Sequence, residues 1–154
     1  MTVYFLDSSA LVKRYVPEVG TSWVQALTDP DSGNQLFIAR ITWVEVLSAL
    51  ARRQREGSLD ISQITQIVLA FRHHLNTQYR VLELTQTLAE LAGQLVNRHP
   101  MRAYDAVQLA SAVSLHTAIT QAQLPTLVFL TADDRLITIA QTMGFLSDNP
   151  MLYP

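Results

Sequence analysis

The chain has 154 residues, 11 Lys and Arg against 13 Asp and Glu, and a formal net charge of −2. That length suggests a single domain over 1–154, and 49% hydrophobic against 16% charged residues excludes a disordered chain. The charge balance is not that of a dedicated DNA binder, and the lack of cysteine excludes disulfides, thiolate metal sites and a cysteine nucleophile.

No apolar run is long enough to span a bilayer. The opening residues lack the basic stretch and apolar segment of a signal peptide. A cytoplasmic protein with no membrane partner is the expectation.

In chain order, "VYFL" (3–6) reads as a short buried strand. "SALVKRY" (9–15) puts Leu11, Val12 and Tyr15 at helical spacing, and "TSWVQAL" (21–27) is a second short helical piece. "DPDSGNQ" is a turn cluster, and "LFIA" (36–39) is a second strand. "TWVEVLSALARRQRE" (42–56) is a helix closed by Gly57. "ISQITQIVLAFRHHL" (61–75) is another, with Ile61, Ile64, Ile67, Val68 and Phe71 on one face. "RVLEL" (80–84) is a third strand, and "TQTLAELAGQLVNR" (85–98) a helix stopped before Pro100. "AYDAVQLASAVSLHTAI" (103–119) is apolar nearly all round, which predicts a central, buried helix. "TLVFLT" (126–131) is a fourth strand, "DRLITIAQTM" (134–143) the last helix, and "GFLSDNPMLYP" a strand or coil tail.

Continuous apolar strands separated by helices imply a mainly parallel sheet of four to five strands covered on both faces, a three-layer α/β/α domain. Ligands in such folds bind at the carboxyl ends of the strands.

Most acids have bland settings. Glu18, Asp29, Asp31, Glu56, Asp60 and Asp148 lie in turns or polar stretches and read as solvated. Four others stand beside apolar sequence. Asp7 and Asp133 follow strands, while Glu45 and Asp105 fall in first turns of apolar helices. Each has an ordinary explanation taken singly. Thr42 and Glu45 have the spacing of a capping box, Asp105 complements a helix dipole, and Asp133 or Asp134 caps a helix. Four carboxylates on one edge, however, would repel and raise each other's pKa. A hard cation between them, Mg²⁺ or Mn²⁺, relieves that repulsion. The hydroxyls of Ser9 and Thr131 flank the same place.

"YFLDSSALVKRY", "ITWVEVLSAL", "RAYDAVQLASA" and "FLTADDRL", in this order across the whole chain, resemble the PIN domain family, and within it the VapC-type toxins of bacterial toxin–antitoxin pairs. The resemblance implies a metal-dependent ribonuclease. It implies that Asp7, Glu45, Asp105 and Asp133 are the acidic quartet, with Asp134 as a substitute for Asp133. It also implies that Ser9 and Thr131 are the family's supporting hydroxyls. Asp7 and Asp105 are expected as direct metal ligands. Glu45 and Asp133 bind directly, bind through water, or orient the attacking water.

Substrate phosphates need cations at the rim, and Lys13, Arg14 and Arg102 are the candidates, with Arg40 and Arg52 also near the motifs. Arg53 and Arg55 read as the solvated end of a helix. The histidines have no zinc-site spacing, and Trp23, Trp43 and the tyrosines read as packing residues, with base stacking a second possibility for Tyr104.

Three other readings fit parts of the pattern. A haloacid dehalogenase-type phosphatase needs a second aspartate where Ser9 stands and a late lysine or arginine for the phosphate; the only lysine is Lys13. A housekeeping RNA-processing PIN nuclease would look much the same. A non-catalytic PIN-like binding module has no need of four clustered acids. By resemblance, the expected partners are RNA, a cognate antitoxin and a second copy of the chain as a homodimer.

Overall fold

The computed structural model describes residues 1–154. Five parallel strands form one sheet: β1 (Val3–Leu6), β2 (Gln35–Ala39), β3 (Arg80–Leu82), β4 (Leu127–Leu130) and β5 (Leu146–Asp148). Their order is β3-β2-β1-β4-β5. β1 is therefore central, and the chain leaves it first toward β2 and later toward β4. The gap between β1 and β4 is the switch point at which open α/β sheets bind ligands. Leu6 pairs with Leu130 there, one residue before Asp7 and Thr131.

Alternation along the strands builds two cores. Val3, Phe5, Leu127 and Phe129 face α5 (Gln86–Arg98), α6 (Ala103–Gln121) and α7 (Asp134–Thr142). Leu6, Leu36, Ile38 and Leu130 face α1 (Ser8–Leu11), α2 (Thr21–Leu27), α3 (Thr42–Arg55) and α4 (Ile61–Thr77). Phe5 and Phe129, both fully buried, stack at 5.8 Å between centroids across neighbouring strands. A phenylalanine buried like this contributes about 1.5–3 kcal/mol.

The expected three-layer α/β/α domain is what the chain forms, with three local differences. The "SALVKRY" segment divides into α1 and a 3₁₀ turn over Val12–Arg14. The third strand ends at Leu82 instead of Leu84, and the tail forms β5 followed by a 3₁₀ turn over Pro150–Leu152. Finally, α6 is not buried all round: Tyr104, Ser114, Thr117 and Thr120 reach solvent. Small residues such as Ala106, Ala110 and Ala112 give it an apolar average without an apolar circumference.

Gly20 fixes the loop between the 3₁₀ turn and α2. Its φ is +90°, and a Cβ there would meet the Pro150 carbonyl oxygen at 2.4 Å. Only glycine allows this loop to lie against the C-terminal turn. Trp23 stacks on Tyr153 at 4.2 Å in the same contact.

Candidate active site at the sheet switch point

Asp7 ends β1 and begins α1. Its N–H donates to the Leu130 carbonyl at 3.0 Å, the last rung between β1 and β4. Its extended backbone (φ −76°, ψ 173°) turns the chain into α1, and its Oδ1 accepts from the Ala10 N–H at 3.0 Å as the helix cap. Capping does not exhaust the side chain. Ser9 Oγ donates to Oδ1 at 2.7 Å and Thr131 Oγ1 to Oδ2 at 2.6 Å. Thr131 Oγ1 in turn accepts from the Asp133 N–H at 3.1 Å, and Ser9 Oγ accepts from the Ala132 N–H at 2.9 Å. The Asp7 carboxylate thus joins the ends of β1 and β4 across the switch point.

Glu45 comes from the first turn of α3, three residues after Thr42. The capping box that this spacing suggests does not form: Ile41 is the cap residue and no side chain caps it. Thr42 is fully buried and accepts from Gln108 Nε2 at 2.9 Å. Glu45 instead turns to the site. Its Oε1 accepts from Gln108 Nε2 at 2.6 Å and its Oε2 from Ser8 Oγ at 3.0 Å. Glu45 is thereby tied to α1 and α6 as well as to its own helix.

Asp105 lies in the first turn of α6, beside Arg102, whose Nε reaches Asp105 Oδ2 at 3.4 Å. The Arg102 side chain is 78% exposed, so this pair neutralises little. Asp133 caps α7 by accepting from the Arg135 N–H at 2.9 Å through Oδ1. The Asp134 Oδ1 is occupied by Asn149 Nδ2 at 2.8 Å.

A cavity of about 480 Å³ opens over this edge, and its lining includes Ser8, Ser9, Glu45, Asp105 and Ala132 together with Lys13, Glu18, Arg52, Arg53 and Arg102. Asp7 is buried and Asp133 half-buried, and neither lines this cavity, although their neighbours Ser9 and Ala132 do. Arg14 is absent from it and lines a different cavity. Glu18, expected to be solvated, bonds Lys13 Nζ at 3.1 Å and Arg53 at 3.2 Å. Arg53, expected at a solvated helix end, points into this group. Tyr104 lines the rim and is 58% exposed, so it is not a packing residue.

The electrostatics are uneven. Burial pushes the Asp7 carboxyl up from 3.8 to about 6; the bonds from Thr131, Ser9 and Ala10 oppose this, and the Glu45 charge adds to it. Burial also raises Glu45, with Gln108 and Ser8 opposing and Asp105 adding. Neither Asp7 nor Glu45 has a cationic partner. The sequence analysis gave Thr42 a capping role and left out Ser8 and Gln108; of these two only Gln108 amid "AYDAVQLASA" gave a signal, as a long amide on a largely apolar helix.

No three acidic or histidine side chains converge closely enough to hold an ion by themselves. All donors at the edge are nevertheless oxygens, the chemistry hard cations take, and Mg²⁺ commonly uses one or two carboxylates and keeps waters. Two carboxylates without a counter-charge fit that demand.

A protein-family model described as the PIN domain matches residues 4–141, a span that holds all four acids. The chain is 33% identical over 144 residues to ribonuclease VapC45 of Mycobacterium tuberculosis, covering 94% of this chain and 93% of that one. Among solved structures it is similar to M. tuberculosis VapC20, described as a sarcin-ricin loop cleaving toxin, with a TM-score of 0.63 at 18% identity over 98% of this chain and 99% of that one. A toxin–antitoxin complex from Klebsiella pneumoniae gives 0.59 at 18% identity over 96% and 97%. These last two share the fold. With the match to the family model running through nearly all of its elements, the chain belongs to the PIN domain family.

Proposed function

We propose that this chain is a metal-dependent endoribonuclease and the toxin of a toxin–antitoxin pair, cleaving RNA phosphodiester bonds in the cavity at the switch point. The observation that carries this reading is the pair Asp7 and Glu45: one buried and one half-buried carboxylate, each held by hydroxyl or amide donors, and neither in an ion pair. The likeness to curated VapC ribonucleases supports the choice of RNA.

Asp7 and Glu45 would hold Mg²⁺ or Mn²⁺ with waters completing its shell, and Asp105 and Asp133 would reach it through those waters. When bound, the ion supplies a low-pKa water and positive charge at the scissile phosphate. The chain's own residues do the rest. Ser9 and Thr131 hold Asp7 in one rotamer, and Ser8 and Gln108 do the same for Glu45, so no carboxylate has to reorganise as charge develops. Lys13 and Arg102 offset phosphate charge at the rim, and Tyr104 offers an exposed ring on which a base stacks.

A cognate antitoxin would silence the site by placing a basic side chain against the same two carboxylates. Finding a short reading frame beside this one that encodes a small DNA-binding protein would support the toxin role over a housekeeping one. Association with a second copy completes the proposal and is read from the mass of the purified protein in solution.

RNA cleavage by protein freed of any partner tests the reaction. Cleavage is expected with Mg²⁺ or Mn²⁺, none in EDTA, and a fall of roughly 10²–10³-fold with Asp7→Asn. Activity that survives in EDTA sinks the metal requirement, and RNA left intact by the metal-loaded protein sinks the nuclease.

A further inference from the structure

The cation side of the cavity contains an arrangement that the acids do not explain. Lys13, the only lysine in the chain, leaves the 3₁₀ turn after α1 with a side chain just 5% exposed. Arg53 comes from the last turn of α3 and is 19% exposed. Both meet Glu18, which belongs to neither element. Lys13 Nζ takes Glu18 Oε1 at 3.1 Å, and Arg53 takes Oε2 at 3.2 Å. The Glu18 backbone is anchored separately: its N–H donates to Thr21 Oγ1 at 2.9 Å, and its carbonyl accepts from the Thr21 N–H at 3.1 Å. The carboxylate can therefore swing on its own torsions without moving the loop.

We propose that Lys13 and Arg53 form a phosphate subsite at the wall of the cavity, and that Glu18 is its internal placeholder, displaced when RNA binds. The ligand's identity as RNA phosphate rests on the function proposed above. A carboxylate and a phosphodiester present the same feature, two anionic oxygens on one atom, to one ammonium and one guanidinium. A nearly buried ammonium cannot be left without an anion. Binding is thus an exchange of one anion for another, and the empty cavity never exposes a bare buried charge. Lys13, Glu18 and Arg53 all line the cavity that Glu45 and Asp105 line, so a phosphate seated here belongs to a strand passing the acids.

The test uses Glu18→Gln, whose amide oxygen still accepts from Lys13. Affinities for inorganic phosphate and for a fluorescent single-stranded oligoribonucleotide are measured in EDTA, where binding is separated from cleavage. Glu18→Gln is expected to bind phosphate about three- to tenfold more tightly than the unaltered chain. Adding Arg53→Gln should abolish that gain, and the RNA affinity should follow the phosphate affinity. Equal phosphate affinity in the two proteins, or a gain that survives Arg53→Gln, overturns the subsite. If Glu18→Gln fails to fold, Arg53→Gln alone decides. Weaker phosphate and RNA binding supports the subsite, and unchanged binding overturns it. A phosphate gain without an RNA gain keeps the subsite and removes RNA as its ligand, so the two readings fail separately.

Discussion

Two cavities of this protein are built from similar materials and differ in how charge is settled. One, about 520 Å³, lies between the α1–α2 region and α4 and contains Arg14, Tyr15 and His74. There the polar groups answer one another. Arg14 donates to the Tyr79 hydroxyl at 2.6 Å, and the Tyr15 hydroxyl lies 2.8 Å from both His74 Nδ1 and Tyr79. Burial lowers His74 to about 4, with Arg14 and His73 contributing, so its ring is neutral near pH 7. Burial likewise raises both tyrosines, which stay protonated. The switch point keeps two carboxylates out of any ion pair, Asp7 buried beside the cavity and Glu45 lining it, and the cavity's Lys13 and Arg53 are set against a different acid, Glu18. Size does not set the proposed reactive site apart from the other cavity. Unsettled charge does.

The sharpest break of that comparison is Asp7→Asn. It should lower metal-dependent RNA cleavage by roughly 10²–10³-fold, about 3–4 kcal/mol of transition-state stabilisation. A variant that cleaves at a tenth of the parent rate would show that the buried carboxylate is only a cap.

The same substitution should stabilise the metal-free protein. The folded-state pKa of Asp7 is raised, so folding favours its protonated form. That stability is fully present below 3.8 and is lost as the pH rises through about 6. Without metal, Asp7 then costs about 3 kcal/mol at neutral pH. Urea melts in EDTA should show stability rising as the pH falls from about 6 toward 4. In Asp7→Asn that rise should shrink to the part Glu45 supplies, and saturating Mn²⁺ should flatten it in the parent chain.

Next in size is the support of Glu45. Gln108→Met keeps the volume and removes the donor to Glu45 Oε1. Losses of about 10- to 100-fold in Mn²⁺ affinity are expected, the range typical of residues that orient a ligand. Calorimetric titration with Mn²⁺ reads this directly, and unchanged affinity would remove Gln108 from the site.

The smallest effect belongs to the settled cavity. Tyr79→Phe leaves the Arg14 donor and the Tyr15 hydroxyl each short of a partner and should cost about 1–2 kcal/mol in urea melts. RNA cleavage should stay within about threefold of the parent rate, about 0.7 kcal/mol. A larger fall would connect the two cavities that the structure keeps apart.

Much of the candidate site was legible in the chain itself. Asp7, Glu45, Asp105 and Asp133 stand out because an acid beside apolar residues at an element end needs a reason. Ser8, Thr42 and Gln108 were not legible, because their roles depend on reach between α1, α3 and α6. Lys13 and Arg14 show the limit most plainly. They are neighbours in sequence, both at the expected distance from Ser9, and they serve different cavities. A 3₁₀ turn advances about 120° per residue, so consecutive side chains diverge by a third of a circle.

The sequence by itself determined the parallel sheet, its helical cover and the acids at its carboxyl edge. Apolar periodicity and local capping chemistry act over a few residues, and their record lies in the order of the chain. The tertiary structure alone decided that Glu45 leaves its own helix end for Ser8 and Gln108, that Asp7 and Thr131 meet across 124 residues, and that Glu18 stands between Lys13 and Arg53. Those outcomes depend on which elements become neighbours, and the packing of the two cores on the sheet sets that.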